Sequence, residues 1–205
     1  MTDDLVLYTN PQSRGRIARW MLEEIGAPYR TEILDYGTNM KSPDYLAINP
    51  MGKVPAIKHG NQVVTECAAI CAYCADTFPE AGLAPTQEER GAYYRWLFFV
   101  AGPLEAAIAD ARVLEVEPRE EQYRMVGYGS YAAVMDALTG LFRNNQYVAG
   151  DRFTAADVYV GAQISWGLGF GTIEKRPELE AYAERVGERD AFKRAADLDN
   201  ALVET

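Results

Sequence analysis

Three short stretches in the first third of the chain carry groups that could do chemistry. The first is Thr9-Asn-Pro-Gln-Ser13-Arg-Gly-Arg16-Ile-Ala-Arg19. Ser13 stands where a helix begins, and its hydroxyl can cap that helix. It can instead donate a hydrogen bond to an anion at the helix mouth. Arg14, Arg16 and Arg19 make this stretch locally basic; solvation and pairing with neighbouring acids are both open to them. The second stretch is Asn49-Pro-Met-Gly-Lys53-Val54-Pro55-Ala-Ile57. Proline has no N–H to give a sheet, so Pro55 belongs at a strand's first position or at an edge. A loop leading into an edge strand is the plain reading. A cis Val54–Pro55 bond, uncommon among X–Pro bonds, would turn the Val54 N–H and C=O outward to pair with a peptide-like ligand in strand fashion. The third is Thr65-Glu66-Cys67, opening a helix. Unpaired N–H groups at a helix start suit a ligand carboxylate, and the Glu66 carboxylate suits an ammonium. Together they would hold the head group of a free amino acid. The plain reading is a helix capped by Thr65.

Other reactive side chains are few. Cys67, Cys71 and Cys74 follow one another at spacings of four and three, on one helix face. Buried small thiols are the reading we take. A metal site is not expected, because there is no paired CxxC motif and the single histidine, His59, lies eight residues before the first cysteine. His59 falls at a hairpin tip and is expected at the surface.

The elements that must position these groups follow from periodicity. Leu5–Thr9 is a strand, Ser13–Ile25 a helix with Ile17, Ala18, Met21, Leu22 and Ile25 on one face, and Tyr29–Leu34 a second strand. Gly26-Ala-Pro28 stops the helix. Strand–helix–strand at this length implies a parallel pair joined by a right-handed crossover. A loop over residues 36–50, with a short helix near Asp44–Ile48, leads to strands Val54–Lys58 and Gln62–Thr65, a hairpin by its turn residues. A helix from Glu66 to Asp76 completes the unit.

Beyond the linker Pro79–Pro85 the strand signal ends. Helices are expected over Gln87–Arg112, kinked at Pro103, over Glu120–Arg143 with a bend at Gly127–Gly129, and over Thr154–Leu168, Pro177–Val186 and Ala191–Leu198. Domains are therefore expected at residues 1–81 and 86–205. Tyr94, Phe98 and Gly102 share a helix face; bundle core is the plain reading, the wall of a ligand site the sharper one. Thr154 and Asp157 have capping-box spacing, with Phe153 and Val158 placed as a hydrophobic staple. Asp157→Ala should then remove about 1 kcal/mol, the scale of a lost cap.

Composition sets the outer limits. The 205 residues are 48% hydrophobic, and 20 Lys+Arg against 30 Asp+Glu leave a net charge of −10. The excess is −3 over residues 1–81 and −7 over the rest, so neither part is basic. Such a chain would be repelled by nucleic-acid phosphates and by anionic membranes. The longest uncharged run, Val158–Ile173, has 16 residues and four glycines, too short for a bilayer span. Three cysteines fit a reducing compartment, and no stretch has the order of a signal peptide. A cytoplasmic globular protein is expected.

The chain resembles the cytosolic glutathione S-transferase family over essentially its full length. The resemblance rests on the βαβ–ββα order, Asn49–Ile57, Glu66-Cys-Ala-Ala-Ile70 and Tyr147-Val-Ala-Gly-Asp-Arg-Phe-Thr154-Ala-Ala-Asp157. It implies a thioredoxin-like N-terminal domain followed by an all-helical one. It implies glutathione as co-substrate, its cysteinyl part on the Val54 backbone beside a cis Pro55. Glu66 and Cys67 would hold its γ-glutamyl end, and Lys41 or Lys53 would reach its glycine carboxylate. The family usually has Ser where Cys67 stands, and a thiol is a poorer donor than a hydroxyl; binding should be weaker but kept. Ser13 aligns with the Ser-type activating residue, with Asn10 placed to assist. Tyr8 lies near the Tyr-type position, one residue too far from Arg14-Gly-Arg16. The resemblance implies attack of the glutathione thiolate on a hydrophobic electrophile or a peroxide, in a homodimer. A non-catalytic glutathione- or protein-binding module on the same fold is the alternative. The Cys-containing first-helix motif of one isomerase class is absent.

Overall fold

The computed structural model describes residues 4–203. The chain forms two compact units. One comprises the described residues up to Ala84 together with those from Glu188 onward; the other is Pro85–Gly187.

The first unit is built on a four-stranded sheet. Strands β1 (Leu5–Thr9), β2 (Arg30–Ile33), β3 (Ala56–His59) and β4 (Gln62–Thr65) lie in the order β2-β1-β3-β4. β1 pairs parallel with β2 and antiparallel with β3, and β3 pairs antiparallel with β4. The almost continuously buried Leu-Val-Leu-Tyr-Thr of β1 suits a central strand, while β2 and β4 alternate or lie exposed, as edges do. Helices α1 (Gly15–Ile25), α2 (Pro43–Leu46) and α3 (Cys67–Thr77) complete this part. Gly26, at φ 65°, ends α1 in the left-handed region, its N–H on the Leu22 carbonyl. Gly15 is demanded by packing: a Cβ there would stand 1.8 Å from Thr9 Oγ1. His59 closes the β3–β4 hairpin, but it is half-buried. It stacks on Phe78, and its Nδ1 lies 3.0 Å from the Tyr73 hydroxyl, so the surface expectation is corrected.

The second unit is helical. α4 (Arg90–Phe99) buries Tyr93, Trp96 and Leu97. Tyr94 and Phe98, one position round the helix, are 43% and 73% exposed, which overturns their reading as bundle core. The helix expected to run to Arg112 loses α geometry at Pro103. A π-helical turn, Val100–Leu104, carries the chain past the missing N–H into α5 (Glu105–Ile108). A second π segment, Ala109–Leu114, ends at Glu115 with φ 55°. The helix expected over Glu120–Arg143 keeps only its second half. Glu120–Gln122 is a single 3₁₀ turn, Gly129 takes φ 72°, and α6 (Tyr131–Asn144) starts afresh under a Ser130 cap. The glycines supply no side chains to pack, and the serine offers a better start. α7 (Ala155–Phe170) is buried on all sides over Ala155–Ile164, and α8 (Pro177–Gly187) packs against it.

Asp157 ties this unit together. The Thr154 N–H and hydroxyl donate to its Oδ2 at 2.8 and 3.0 Å, and the Val148 N–H and Tyr182 hydroxyl donate to its Oδ1 at 2.8 and 2.9 Å. The capping box is present, but the carboxylate also anchors the preceding loop and α8.

The last helix, α9 (Asp190–Val203), packs against α1 in the first unit. The helical domain expected at 86–205 is thus divided after Gly187. Phe192 meets the edge of Trp20, Arg189 grips Glu24 through two bonds of 2.6 and 2.7 Å, and Arg19 Nε donates to Asp199 Oδ1 at 2.8 Å. Covered by α9 as well as by the sheet and α3, α1 buries Arg19 and Trp20 along with Ile17, Ala18, Met21 and Leu22, while Ile25 at its end is only half-buried.

Candidate functional site

Topology gathers four loops at one end of the sheet. β1 leaves at Thr9, β2 at Ile33, β3 enters at Ala56 and β4 leaves at Thr65; Tyr8 pairs with Ala56 and Ala56 with Thr65. Residues 10–14, 34–42, 49–55 and 66–67 therefore emerge together. Ser13, Lys41, Lys53, Val54, Pro55, Glu66 and Cys67 all lie on these loops.

The Ser13 turn is held by its own polar groups. The Asn10 amide donates to the Leu34 carbonyl at 2.9 Å, its Oδ1 accepts from the Gln12 N–H, and the Ser13 N–H donates to the Asn10 carbonyl at 3.1 Å. Ser13 lies just before α1 rather than within it. Its Oγ accepts from the Gly15 N–H at 2.9 Å and donates to the Asn10 carbonyl at 2.7 Å. Cys67 Sγ stands 3.6 Å from the Arg14 carbonyl, so the starts of α1 and α3 are adjacent.

The 49–55 loop is built around Asn49, which is 4% exposed. Its Oδ1 accepts from the Met51 N–H, and its Nδ2 donates to the Lys53 carbonyl at 2.8 Å. The Tyr45 hydroxyl donates to the same carbonyl at 2.6 Å; burial pushes that phenol up to about 12. Lys41 Nζ donates to the carbonyls of Met51 and Gly52 at 3.1 and 2.8 Å. Two of its three N–H groups are thus spent on neutral carbonyls, which leave its charge uncompensated. Lys53 is exposed and makes no ion pair among the described residues. The Val54–Pro55 bond is cis, and the Val54 N–H and C=O make no hydrogen bond to the described residues.

Glu66 has φ 66° and ψ 122°, a conformation that non-glycine residues rarely adopt and that clusters at ligand sites. Its carboxylate is exposed, makes no hydrogen bond or ion pair among the described residues, and does not cap α3. Glu66, not Thr65, occupies the cap position, which corrects the plain reading. Cys67, Cys71 and Cys74 are buried thiols outside any disulfide. Burial pushes the Cys71 thiol up, and the Cys74 thiol up to about 12, so neither is a nucleophile at neutral pH.

Reading the residues alone missed Tyr45 and the depth of Asn49's role. The signal was the Asn49-Pro50 turn, whose buried amide spans to Lys53. Tyr8 is half-buried beside Tyr45, with ring centres 5.6 Å apart.

Comparison with known proteins agrees with this architecture. The family model described as "Glutathione S-transferase, N-terminal domain" matches residues 14–77, and that described as "Glutathione S-transferase, C-terminal domain" matches residues 92–190. The chain belongs to the glutathione S-transferase family. Among its relatives is glutathione S-transferase GST-4.5 of Xanthomonas campestris pv. campestris, 31% identical over 191 residues, covering 88% of this chain and 91% of that protein. The solved glutathione transferase of Methylococcus capsulatus is 27% identical with a TM-score of 0.77, over 96% of this chain and 99% of that one. A Sulfitobacter glutathione transferase homologue with bound glutathione has the same identity and TM-score, over 96% and 98%. The thioredoxin-like unit followed by a helical one is thus the family fold. Among the described residues no helix is long and apolar enough to cross a membrane.

Proposed function

We propose that this protein is a glutathione S-transferase enzyme that binds glutathione across the four loops at the sheet end. It presents the thiolate to a hydrophobic electrophile or a peroxide. The cytoplasmic location and homodimeric assembly usual in the family belong to the same proposal. The observation that carries it is the convergence of Ser13, the Val54 backbone and Glu66 at that end. The Val54 N–H and C=O would pair with the cysteinyl unit in the manner of a strand edge. The Glu66 carboxylate and the N–H groups opening α3 match the ammonium and carboxylate of the γ-glutamyl unit. Lys41, with one N–H left, and Lys53 would draw the glycine carboxylate.

Ser13 supplies the hydrogen bond to sulfur. Its hydroxyl now donates to the Asn10 carbonyl. A thiolate is a charged acceptor, and charge-assisted bonds are roughly twice as strong as neutral ones, so the hydroxyl turns from the carbonyl to the sulfur. The start of α1 adds positive potential at the same place. The present engagement of Ser13 is also what favours the second reading, a binding module in which the hydroxyl serves only the turn.

A thermal-shift titration with reduced glutathione, with glycine as ionic control, tests the site. Saturation near 100 times Kd should add about 2.7 kcal/mol of stability. In a chain of this size that is a rise of roughly 5–10 °C in Tm. No shift at millimolar glutathione removes the proposal. Within the same assay, Cys67→Ser should tighten glutathione binding about three-fold, since a hydroxyl donates better than a thiol. Equal or weaker binding by calorimetry would show that the side chain at this position does not touch the ligand.

A further inference from the structure

α9 reaches the turn that carries Ser13. Arg16, in the first turn of α1, donates from Nε to the Pro11 carbonyl at 2.5 Å and from Nη2 to Asn200 Oδ1 at 2.9 Å. One planar guanidinium therefore spans the loop two residues before Ser13 and a helix 184 residues further along the chain. The helix end of this span is itself fixed. The Arg19–Asp199 pair beside it is almost fully buried, and Arg194 bonds the Glu23 carbonyl at 3.2 Å.

We infer that Arg16 and Asn200 are positioning residues: α9 holds the Arg16 guanidinium, and Arg16 holds the 10–13 turn where Ser13 Oγ can meet a thiolate. This rests on Ser13 as the thiolate's donor. The physical need arises when the hydroxyl leaves the Asn10 carbonyl for sulfur. The turn then loses a 2.7 Å tie of its own and is held from outside at two points, the Asn10 amide on the Leu34 carbonyl and Arg16 on the Pro11 carbonyl next to it. Arg16 is half-buried, so its placement depends on Asn200, its side-chain partner on α9.

The test uses the full chain saturated with glutathione. The thiol is titrated by the ultraviolet absorbance of the thiolate, and turnover is followed with an activated aryl chloride. Asn200 is exposed, so Asn200→Leu, Asn200→Ala and Asn200→Asp should all fold, which melting curves check. Asn200→Leu and Asn200→Ala should move the thiol titration to higher pH and lower kcat at neutral pH about three- to ten-fold, with KM for glutathione little changed, as expected of misplacement rather than lost binding. Asn200→Asp should behave as wild type, because a carboxylate still holds the guanidinium. Were the Arg16 charge acting on sulfur directly, Asn200→Asp would neutralise it and raise the titration while Asn200→Leu would not; that result overturns the inference. So does unchanged behaviour in Asn200→Leu and Asn200→Ala, or failure of Asn200→Asp to retain activity. Ser13→Ala separates the two levels. If it leaves the titration in place, the Ser13 reading falls and the brace with it; if it moves the titration and Asn200→Leu does not, the brace alone falls.

Discussion

Asp157→Ala is expected to lower the stability of the protein by about 4 kcal/mol at pH 7, far beyond a lost helix cap. Four donors lose their acceptor: the N–H groups of Val148 and Thr154 and the hydroxyls of Thr154 and Tyr182. All of these residues are at most 1% exposed, so bulk solvent does not reach the donors. An unsatisfied buried donor costs about 1–3 kcal/mol. The sum is reduced because alanine also removes a buried carboxylate's desolvation. Against a total stability of roughly 5–15 kcal/mol, the loss should be plain as a lowered urea midpoint. Tyr182→Phe, which removes one donor, should lose about 1 kcal/mol. An unchanged midpoint in Asp157→Ala would mean that the network contributes nothing to folding.

The same carboxyl gives a pH signature of unusual sign. Burial pushes it from the ordinary 3.8 up to about 6, against the pull of its four donors. Between pH 4 and 6 the folded chain then binds a proton that the unfolded chain does not. Stability from this group therefore falls as pH rises through that window and is level above it. Paired surface acids act the other way; Glu89, held low chiefly by its bond to Arg152, is one. Comparison with Asp157→Asn cancels them. The stability of wild type relative to Asp157→Asn should fall by roughly 2 kcal/mol from pH 4 to pH 6. A flat difference across that range would place the carboxyl's titration elsewhere.

Ser13→Ala carries the second large effect. A free cysteine thiol has a pKa of about 8.5, so only ~3% is thiolate at pH 7. If Ser13 and the start of α1 lower it by two units, that is about 2.7 kcal/mol of anion stabilisation. Losing the hydroxyl should return most of it. We expect the bound thiol to titrate one to two units higher and kcat/KM near neutral pH to fall by roughly 10- to 100-fold, with glutathione affinity little changed. Ser13→Thr, which keeps a hydroxyl, should recover much of the loss. Tyr8→Phe is the counter-test. Should it abolish thiolate formation while Ser13→Ala does not, the donor is the Tyr8 phenol beside Tyr45.

Local sequence determined the βαβ–ββα order, the stop of α1 at Gly26, the start of α7 at Thr154, and the loops on which the candidate site residues lie. Each depends on hydrophobic period, turn chemistry or capping within a few residues, and those signals are written locally. The tertiary structure decided the rest. Glu120–Arg143 reads as one helix bent at Gly127–Gly129 because helix-forming residues flank the glycines, and only packing selects the late start at Ser130. Asp157 reads as a cap; that Val148 and Tyr182 also spend their donors on it depends on a loop and a helix folding back. Nothing near Asp199 and Asn200 states that their partners are Arg19 and Arg16. Charge and amide side chains have no address until α9 docks on α1 and removes the water that would otherwise satisfy them. Ser13 shows both levels at once. Its place before a helix is local, while the neighbours that would make its hydroxyl useful, the Val54 backbone and Glu66, arrive only when β1, β3 and β4 pair.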